Sequence, residues 1–248
     1  SLFVDMPSAF AMPMASKEFN WGYFSQPEPT LNGRPMDAAR GRGLGGSSAI
    51  NGMVYVRGHA CDFDEWEVNG ADGWNYRNCL PYFQRAEAWM HGGDSYRGGS
   101  GPVGTSNGNN RKNPLYDAFI GAGEQAGYGT TDDYNGHRQE GFGPMHMTVK
   151  RGVRSSTRWA YLSHIRERKN LTVLTRAQVD RVEMESGVAK RVCFEHKGAR
   201  RTVQARREII LSAGSIGSPA VLQRSGIGPK DVLAAAGVQL QHELPGVG

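Results

Sequence analysis

The sequence predicts a mixed α/β protein in which helical segments come first and an antiparallel β-meander follows, on three observations. Apolar residues recur at helical spacing over Tyr76–Ala88, Asn113–Tyr128 and Ser156–Arg168. Past Leu171 the period switches to alternation, with Gly187 and Gly198 where tight turns belong. An apolar run at Glu208–Leu211 then feeds a small-residue turn and a helix, a strand-turn-helix unit. The change of period divides the chain into 1–170 and 171–248.

Each element has a local reason. Ser1–Arg40 reads as irregular, with prolines interrupting it and the aromatics Trp21, Tyr23 and Phe24 scattered along it. The stretch GRGLGGSSAING, from Gly41, packs glycines at 41, 43, 45 and 46 and then turns apolar. Glycine there allows positive φ and close backbone approach. Ser47 or Ser48 is placed to cap a helix running through Ala49, Ile50, Met53 and Val54 to about Tyr55. In the next helix Leu80, Tyr82, Phe83, Ala86 and Trp89 recur at helical spacing, and a Gly- and Asn-rich stretch, His91–Lys112, reads as a long loop. Asn113–Tyr128 sets Leu115, Phe119, Ala122 and Ala126 on one face. Ser155 or Ser156 caps the last of the three helices, and basic residues suit its C-terminal end. LTVLT, QVDRVEME, AKRVCFEHKG and RRTVQARREIILSAG alternate, which predicts three antiparallel strands and then a more buried one over Glu208–Leu211. The turn Ala213-Gly214-Ser215 leads into a helix from Ser218, with Pro219 at its first position, where a missing N–H costs nothing.

Composition bounds the function classes. A chain of 248 residues with 38% hydrophobics has room for one large or two small cores. The net charge of +5 raises nucleic acid as a partner, but the basic clusters at Arg151–Arg158 and Lys197–Arg207 lack interleaved aromatics, so no nucleic-acid partner is expected. Cys61, Cys79 and Cys193 show neither C-x-x-C spacing nor an even framework, which favours inert thiols in a reducing, cytoplasmic setting. No apolar stretch reaches the length of a membrane span, and peripheral contact with the inner face of the membrane is left open. The opening SLFVDMPSAF without an initiator Met and the closing turn HELPGVG lead us to expect a piece of a longer protein.

The glycine stretch poses the functional question. Gly41, Gly43 and Gly46 spell G-x-G-x-x-G, the dinucleotide fingerprint, yet LNGRPMDAAR stands upstream where a buried strand is required. The P-loop pattern fails too, because Ser47 stands where its lysine belongs. A glycine turn entering a helix N-terminus is an anion site, and an ordinary tight turn before a buried helix reads equally well. Small residues at Ala213 and Gly214 would likewise let a cofactor approach, or mark a plain turn. Of the seven histidines, His59, near Asp62 and Asp64, offers a ligand or acid-base role but reads better as a loop residue bonded locally, and His137 and His146 bracket EGFGPM either as the lining of a substrate opening or, the safer reading, as surface or packing residues. None has ligand spacing, and no metal is expected. Trp66, Trp74 and Trp89 offer either an aromatic cage for a quaternary ammonium or anchors for helix packing.

Taken together, GRGLGGSSAING and SAGSIGSPAVLQRSGIG resemble the two hallmarks of the glucose-methanol-choline (GMC) family of flavin oxidoreductases, and EPTLNGR, DDYNGHRQEGFGPM and HELPGVG extend the resemblance over nearly the whole chain. The resemblance implies an FAD enzyme in which an alcohol loses its hydroxyl proton to a base and a hydride to flavin N5. Choline, oxidised to betaine aldehyde, is the substrate it favours, with another primary alcohol or a polyol as alternative and an electron acceptor other than oxygen. Gly43, Gly46, Ser47, Asn51, Gly52 and Met53 carry over as cofactor contacts, with Val179 at the adenine and Ala213 and Gly214 at the second hallmark. Ile50 stands where some members tether the flavin through a histidine, so FAD is expected to be non-covalent.

On this resemblance residues 1–170 hold the FAD-covering loop and helical part. Residues 171–248 hold the β-meander and strand-turn-helix part of the FAD-binding domain, and the substrate domain is incomplete. The family's dinucleotide fingerprint belongs before Ser1 and its catalytic histidine after Gly248. No catalytic residue is therefore assigned within the chain, which by itself is expected to be inactive. From another class, a non-catalytic binding or structural module remains open.

Overall fold

The computed structural model describes residues 1–108 and 113–248, so the end of the long loop expected over His91–Lys112 lies outside the described residues. It divides into two compact units, Ser1–Leu171 and Thr172–Gly248.

The first unit opens with the short helices α1 (Leu2–Asp5) and α2 (Ala11–Ala15). Helix α3 (Ala60–Val68) begins with a capping box: His59 accepts from the Cys61 N–H, and the His59 N–H donates to Asp62. The histidine is thus bonded locally, as its sequence context suggested. Asn75 caps α4 (Tyr76–Ala86), accepting from the Asn78 N–H at 2.9 Å. The two helices meet through Phe63, whose ring lies 5.5 Å from Phe83 and 5.1 Å from Trp66. Strands β1 (Glu87–Trp89) and β2 (Val103–Thr105) pair in parallel, β2 inside the region expected to be loop and β1 over the last residues expected to be helical, where the helix stops at Ala86. Helix α5 (Pro114–Gln125) has Asn113 as its cap and Pro114 at its start. Its Leu115 and Phe119 point outward rather than into a core. Strands β3 (Val149–Lys150) and β4 (Val153–Arg154) form a small hairpin.

The helix expected over Ser156–Arg168 is a single π turn at Arg158–Leu162 followed by irregular turns. The Ser163 hydroxyl donates to the Trp159 carbonyl at 2.6 Å, and the Ser163 N–H reaches back five residues to Arg158. Back-bonding of this kind weakens and bends a helix, in keeping with the irregular turns that follow.

In the second unit β5 (Ala177–Glu185), β6 (Val188–His196) and β7 (Ala199–Gln204) form the expected antiparallel meander, whereas Leu171–Thr175 takes no regular structure. Both turns hold two residues at positive φ, Ser186 with Gly187 and Lys197 with Gly198, the geometry that matches strand twist. Val182 and Phe194 are buried on the sheet, whereas every residue of β7 is exposed. Helix α6 (Gly214–Arg224) packs on β5, and Ser225 at its end accepts the Val182 N–H at 2.9 Å beside a bulge. Strand β8 (Ile227–Gly228), helix α7 (Lys230–Ala235) and strand β9 (His242–Glu243) complete the unit, with β8 and β9 parallel.

Two expectations here are corrected. Glu208–Leu211 forms no strand and Ile210 is 79% exposed, because no strand among the described residues pairs with it. Pro219 is the sixth residue of α6, not the first. The positive φ of Gly214 lets the helix start earlier, and the Ser218 hydroxyl accepts the Ala213 N–H.

Candidate functional site

Gly41 to Met53 form one continuous loop of the first unit. The Gly41 N–H donates to Ser47 Oγ at 3.0 Å, and the Gly46 N–H to the Gly43 carbonyl at 3.0 Å, so the glycines fold back on the serine. Gly43 at φ +126°, Gly45 at +95° and Gly46 at +51° adopt backbone that side chains disfavour. At Gly43, Gly46 and Gly52 an added Cβ would meet nothing within 4 Å, so the backbone borders open space there. Gly41 differs: its α-carbon is packed against the Gly46 carbonyl.

The helix expected beyond Ser47 is only a four-residue 3-10 turn, Gly46–Ala49. Met53 takes φ +64°, and the carbonyls of Ser48 and Asn51 are drawn to Arg154, at 3.4 and 2.6 Å from its Nη1. Those acceptors leave the helical ladder. No helix terminus of useful length remains, and any affinity for an anion rests on the loop backbone itself.

What lies behind the loop went unread in the sequence. Arg154 is 1% exposed, and it also donates from Nη1 to Asn51 Oδ1 at 2.8 Å and from Nε to the Val4 carbonyl at 2.7 Å. Burial holds its guanidinium below the ordinary value, and the charge of Asp5 opposes that. Asn51 Oδ1 in turn accepts the Met53 N–H at 3.2 Å. Ser48 Oγ donates to the Gly45 carbonyl and accepts the Thr157 N–H at 3.0 Å. Arg154 and Thr157 therefore hold the rear of Gly45–Asn51. The local pattern RSST reads as a helix start, which concealed this role.

Beyond Met53 the chain is held by a buried polar cluster. The Met53 carbonyl accepts from the Thr148 N–H at 2.7 Å, and the Tyr55 N–H donates to the His146 carbonyl at 2.9 Å. Arg57 follows, paired with the fully buried Glu87 at 2.7 Å, and Arg97 holds the other oxygen of Glu87 at 2.6 Å. Burial raises the Glu87 carboxyl, but bonds from Arg97 and Thr105 and the charges of Arg97 and Arg57 outweigh it and keep the group below its ordinary value. Arg97 also reaches Asp133 at 2.7 Å and lies over the Trp89 ring at 3.9 Å.

His146 is wholly buried beside this cluster, stacked on Tyr134 at 4.6 Å. Its Nδ1 faces Asn135 Nδ2 at 3.2 Å and Arg97 Nη1 at 3.3 Å, both donors, which assigns the ring proton to Nε2. Burial, with the charge of Arg97, brings its pKa down to about 4. It packs and does not open to solvent. Among the described residues no group of three or more His, Cys, Asp or Glu is placed to hold a metal.

The remaining sequence-derived residues fall as follows. Gly43, Ser47, Asn51 and Gly52 are exposed, Gly46 is half-buried, and Met53 is 1% exposed with its backbone N–H and carbonyl both engaged. In the second unit Ala213 and Gly214 are exposed at the start of α6, and the space around the Gly214 α-carbon is open. Val179 is half-buried on β5, and its carbonyl lies 3.5 Å from Arg224 Nη2 at the other end of that helix. Trp66 and Trp74 meet edge to face at 6.2 Å, while Trp89 belongs to the Arg97 cluster, so the three indoles form no cage. Cys61 is exposed and Cys79 buried.

A family profile described as GMC oxidoreductase matches residues 12–248. Over the whole chain the sequence is 57% identical to oxygen-dependent choline dehydrogenases of Photobacterium profundum and Vibrio vulnificus, covering 44% of each. The chain thus spans less than half the length of the curated relatives it matches. Among solved structures it is similar to pyridoxine 4-oxidase from Mesorbium loti, with a TM-score of 0.88 and 34% identity over 99% of this chain and 48% of that one. An FAD-dependent oxidoreductase from Chaetomium thermophilum matches with a TM-score of 0.90 and 30% identity, over 100% of this chain and 45% of that one. With a profile match from residue 12 to the last residue, over the open glycine-serine loop and the α6 turn alike, the chain belongs to the GMC oxidoreductase family, whose solved relatives depend on FAD.

Proposed function

We propose that the chain serves, within a protein of its relatives' length, as the part of an FAD-dependent alcohol oxidoreductase that holds the flavin, and that the alcohol is choline, oxidised to betaine aldehyde. The observation that carries this reading is the glycine-serine loop, whose backbone borders open space at Gly43, Gly46 and Gly52, in a chain 57% identical to choline dehydrogenases. The residues fit the cofactor. Backbone without Cβ at Gly43, Gly46, Gly52 and Gly214 allows close approach, and the exposed Ser47 and Asn51 offer polar contacts. Met53 would contribute through its backbone position alone, and Val179 and Ala213 are the contacts proposed from the second unit. FAD, when bound, supplies the acceptor for a hydride from the alcohol carbon.

Ile50 is 3% exposed and carries no nucleophile, which supports non-covalent attachment. Acid precipitation of the protein should leave the yellow chromophore in the supernatant; a flavin that stays with the precipitate refutes this. The substitution Gly46→Val, at φ +51°, forces a side chain into disfavoured backbone at a strain of about 1–3 kcal/mol and fills the space reserved for the cofactor. We expect flavin content to collapse in that variant and to persist in Lys190→Ala. Equal flavin in Gly46→Val and the parent would remove the loop from the site.

A second reading, another alcohol on the same fold, is favoured by the relatives' diversity: the solved neighbours include a pyridoxine 4-oxidase and a formate oxidase. Turnover compared across choline, pyridoxine and simple primary alcohols separates the two. The resemblance pointed to an acceptor other than oxygen, whereas the choline relatives are named oxygen-dependent. Oxygen uptake set against dye reduction during turnover decides between them. Among the described residues no helix is long and apolar enough to cross a membrane.

A further inference from the structure

We propose that Arg154 is the positioning residue of the glycine-serine loop, fixing from within the protein the backbone that meets the cofactor. This rests on the FAD reading above. All four bonds of its side chain go to neutral oxygens, three of them on Ser48 and Asn51 and one on Val4. It forms no ion pair among the described residues, and its Nη2 is buried without a partner there. A buried cation without a bonded carboxylate is a costly way to hold two carbonyls. The geometry points to what the cost secures. Arg154 grips both oxygens of Asn51, and the Asn51 side chain then receives the Met53 N–H, so one guanidinium sets the turn from Ser48 to the left-handed Met53. The neighbouring Thr157 holds Ser48 and Gly45 in the same way.

The guanidinium also places a positive charge behind a loop that lacks a helix terminus, and a positive charge favours an anionic group on the loop's open side. Arg154 thereby supplies both the shape and the sign that a diphosphate requires.

The test uses the complete flavoprotein, with FAD affinity read from the quenching of flavin fluorescence. Arg154→Met should weaken FAD roughly ten- to hundredfold, the loss that follows from removing charged hydrogen bonds. Arg154→Lys should recover part of that loss, and Asn51→Ala should weaken binding less. The loss in the double variant should fall short of the sum of the two single losses, because both substitutions remove the bond from Arg154 Nη1 to Asn51 Oδ1, although each also removes contacts of its own. A residue that merely stabilises the fold would give additive effects, and additivity overturns the proposal. So does Arg154→Met binding FAD as tightly as the parent. Should Arg154→Met fail to fold, the same cycle run with Arg154→Lys and Asn51→Ala decides, with additive effects again overturning it. A parent protein without FAD overturns the proposed function as well, whereas FAD held equally by parent and variants overturns this inference alone.

Discussion

His146 lies wholly buried among charged and aromatic side chains. Trp89, Tyr134, Asn135, Arg97 and Asp133 surround its ring, with Glu87 and His91 acting from nearby. With a folded pKa of about 4, the ring stays neutral in the native protein over a range where the unfolded chain takes up a proton. Its contribution to stability is therefore complete above about pH 6.5 and is lost as the pH falls from there towards 4, a total on the order of 3 kcal/mol. Glu87 is held below its ordinary value, so its own contribution is lost only at more acidic pH. Melting temperature followed from pH 7 to 4.5 should fall in the parent and fall much less in His146→Gln, whose amide oxygen can still accept from Asn135. An unchanged slope in that variant would assign the acid sensitivity to another group.

At the scale of elements, the two meander turns show where sequence chemistry is strongest. Each needs positive φ at both central residues, and each supplies glycine at only the second, with Ser186 and Lys197 in the strained first place. Asparagine tolerates that conformation better than lysine. Lys197→Asn should raise stability by about 0.5 kcal/mol, seen as a higher denaturation midpoint with unchanged slope; a lower midpoint would show that Lys197 makes a contact worth more than its strain. The meander was legible because alternation and glycine act locally. The helices α4 and α5 were legible from their apolar spacing, and the structure adds the local caps Asn75 and Asn113. The helix after Ser47 was misread because its fate depends on Arg154, more than one hundred positions away by sequence number. The strand at Glu208–Leu211 was misread because a strand is defined by its neighbour. Gly41, Gly43, Gly45 and Gly46 stood out as a turn from their spacing, whereas Gly52 lay within the expected helix and was singled out only by the family resemblance, and nothing in the spacing disclosed the guanidinium behind the loop.

The whole chain consists of two units that join at Leu171 and Thr172, and the junction lies in a run rich in tryptic sites, with Arg166, Arg168, Lys169 and Arg176 close at hand. The segment carries turns but no extended secondary structure, and most of it is exposed. Exposed chain without regular structure is where proteases act first. Brief trypsin treatment should therefore cut near Arg168 or Lys169 and yield pieces of about 170 and 80 residues; first cuts inside β5–β7 or α4 would contradict the division. The proposed cofactor contacts are distributed over both pieces, with Gly43 to Met53 on one and Val179, Ala213 and Gly214 on the other.

The exposed strand β7 has a colloidal consequence. Its inner edge pairs with β6, and among the described residues no strand pairs with its outer edge. A free edge invites another copy to add on, the first step towards precipitation. Arg200 and Arg201 stand in that strand and bring like charges together whenever two such edges approach. Their like charge disfavours such edge-to-edge pairing. Replacing both with valine removes that repulsion and should make scattered light rise with protein concentration; scattering equal to the parent's would show that the arginines do not protect the edge.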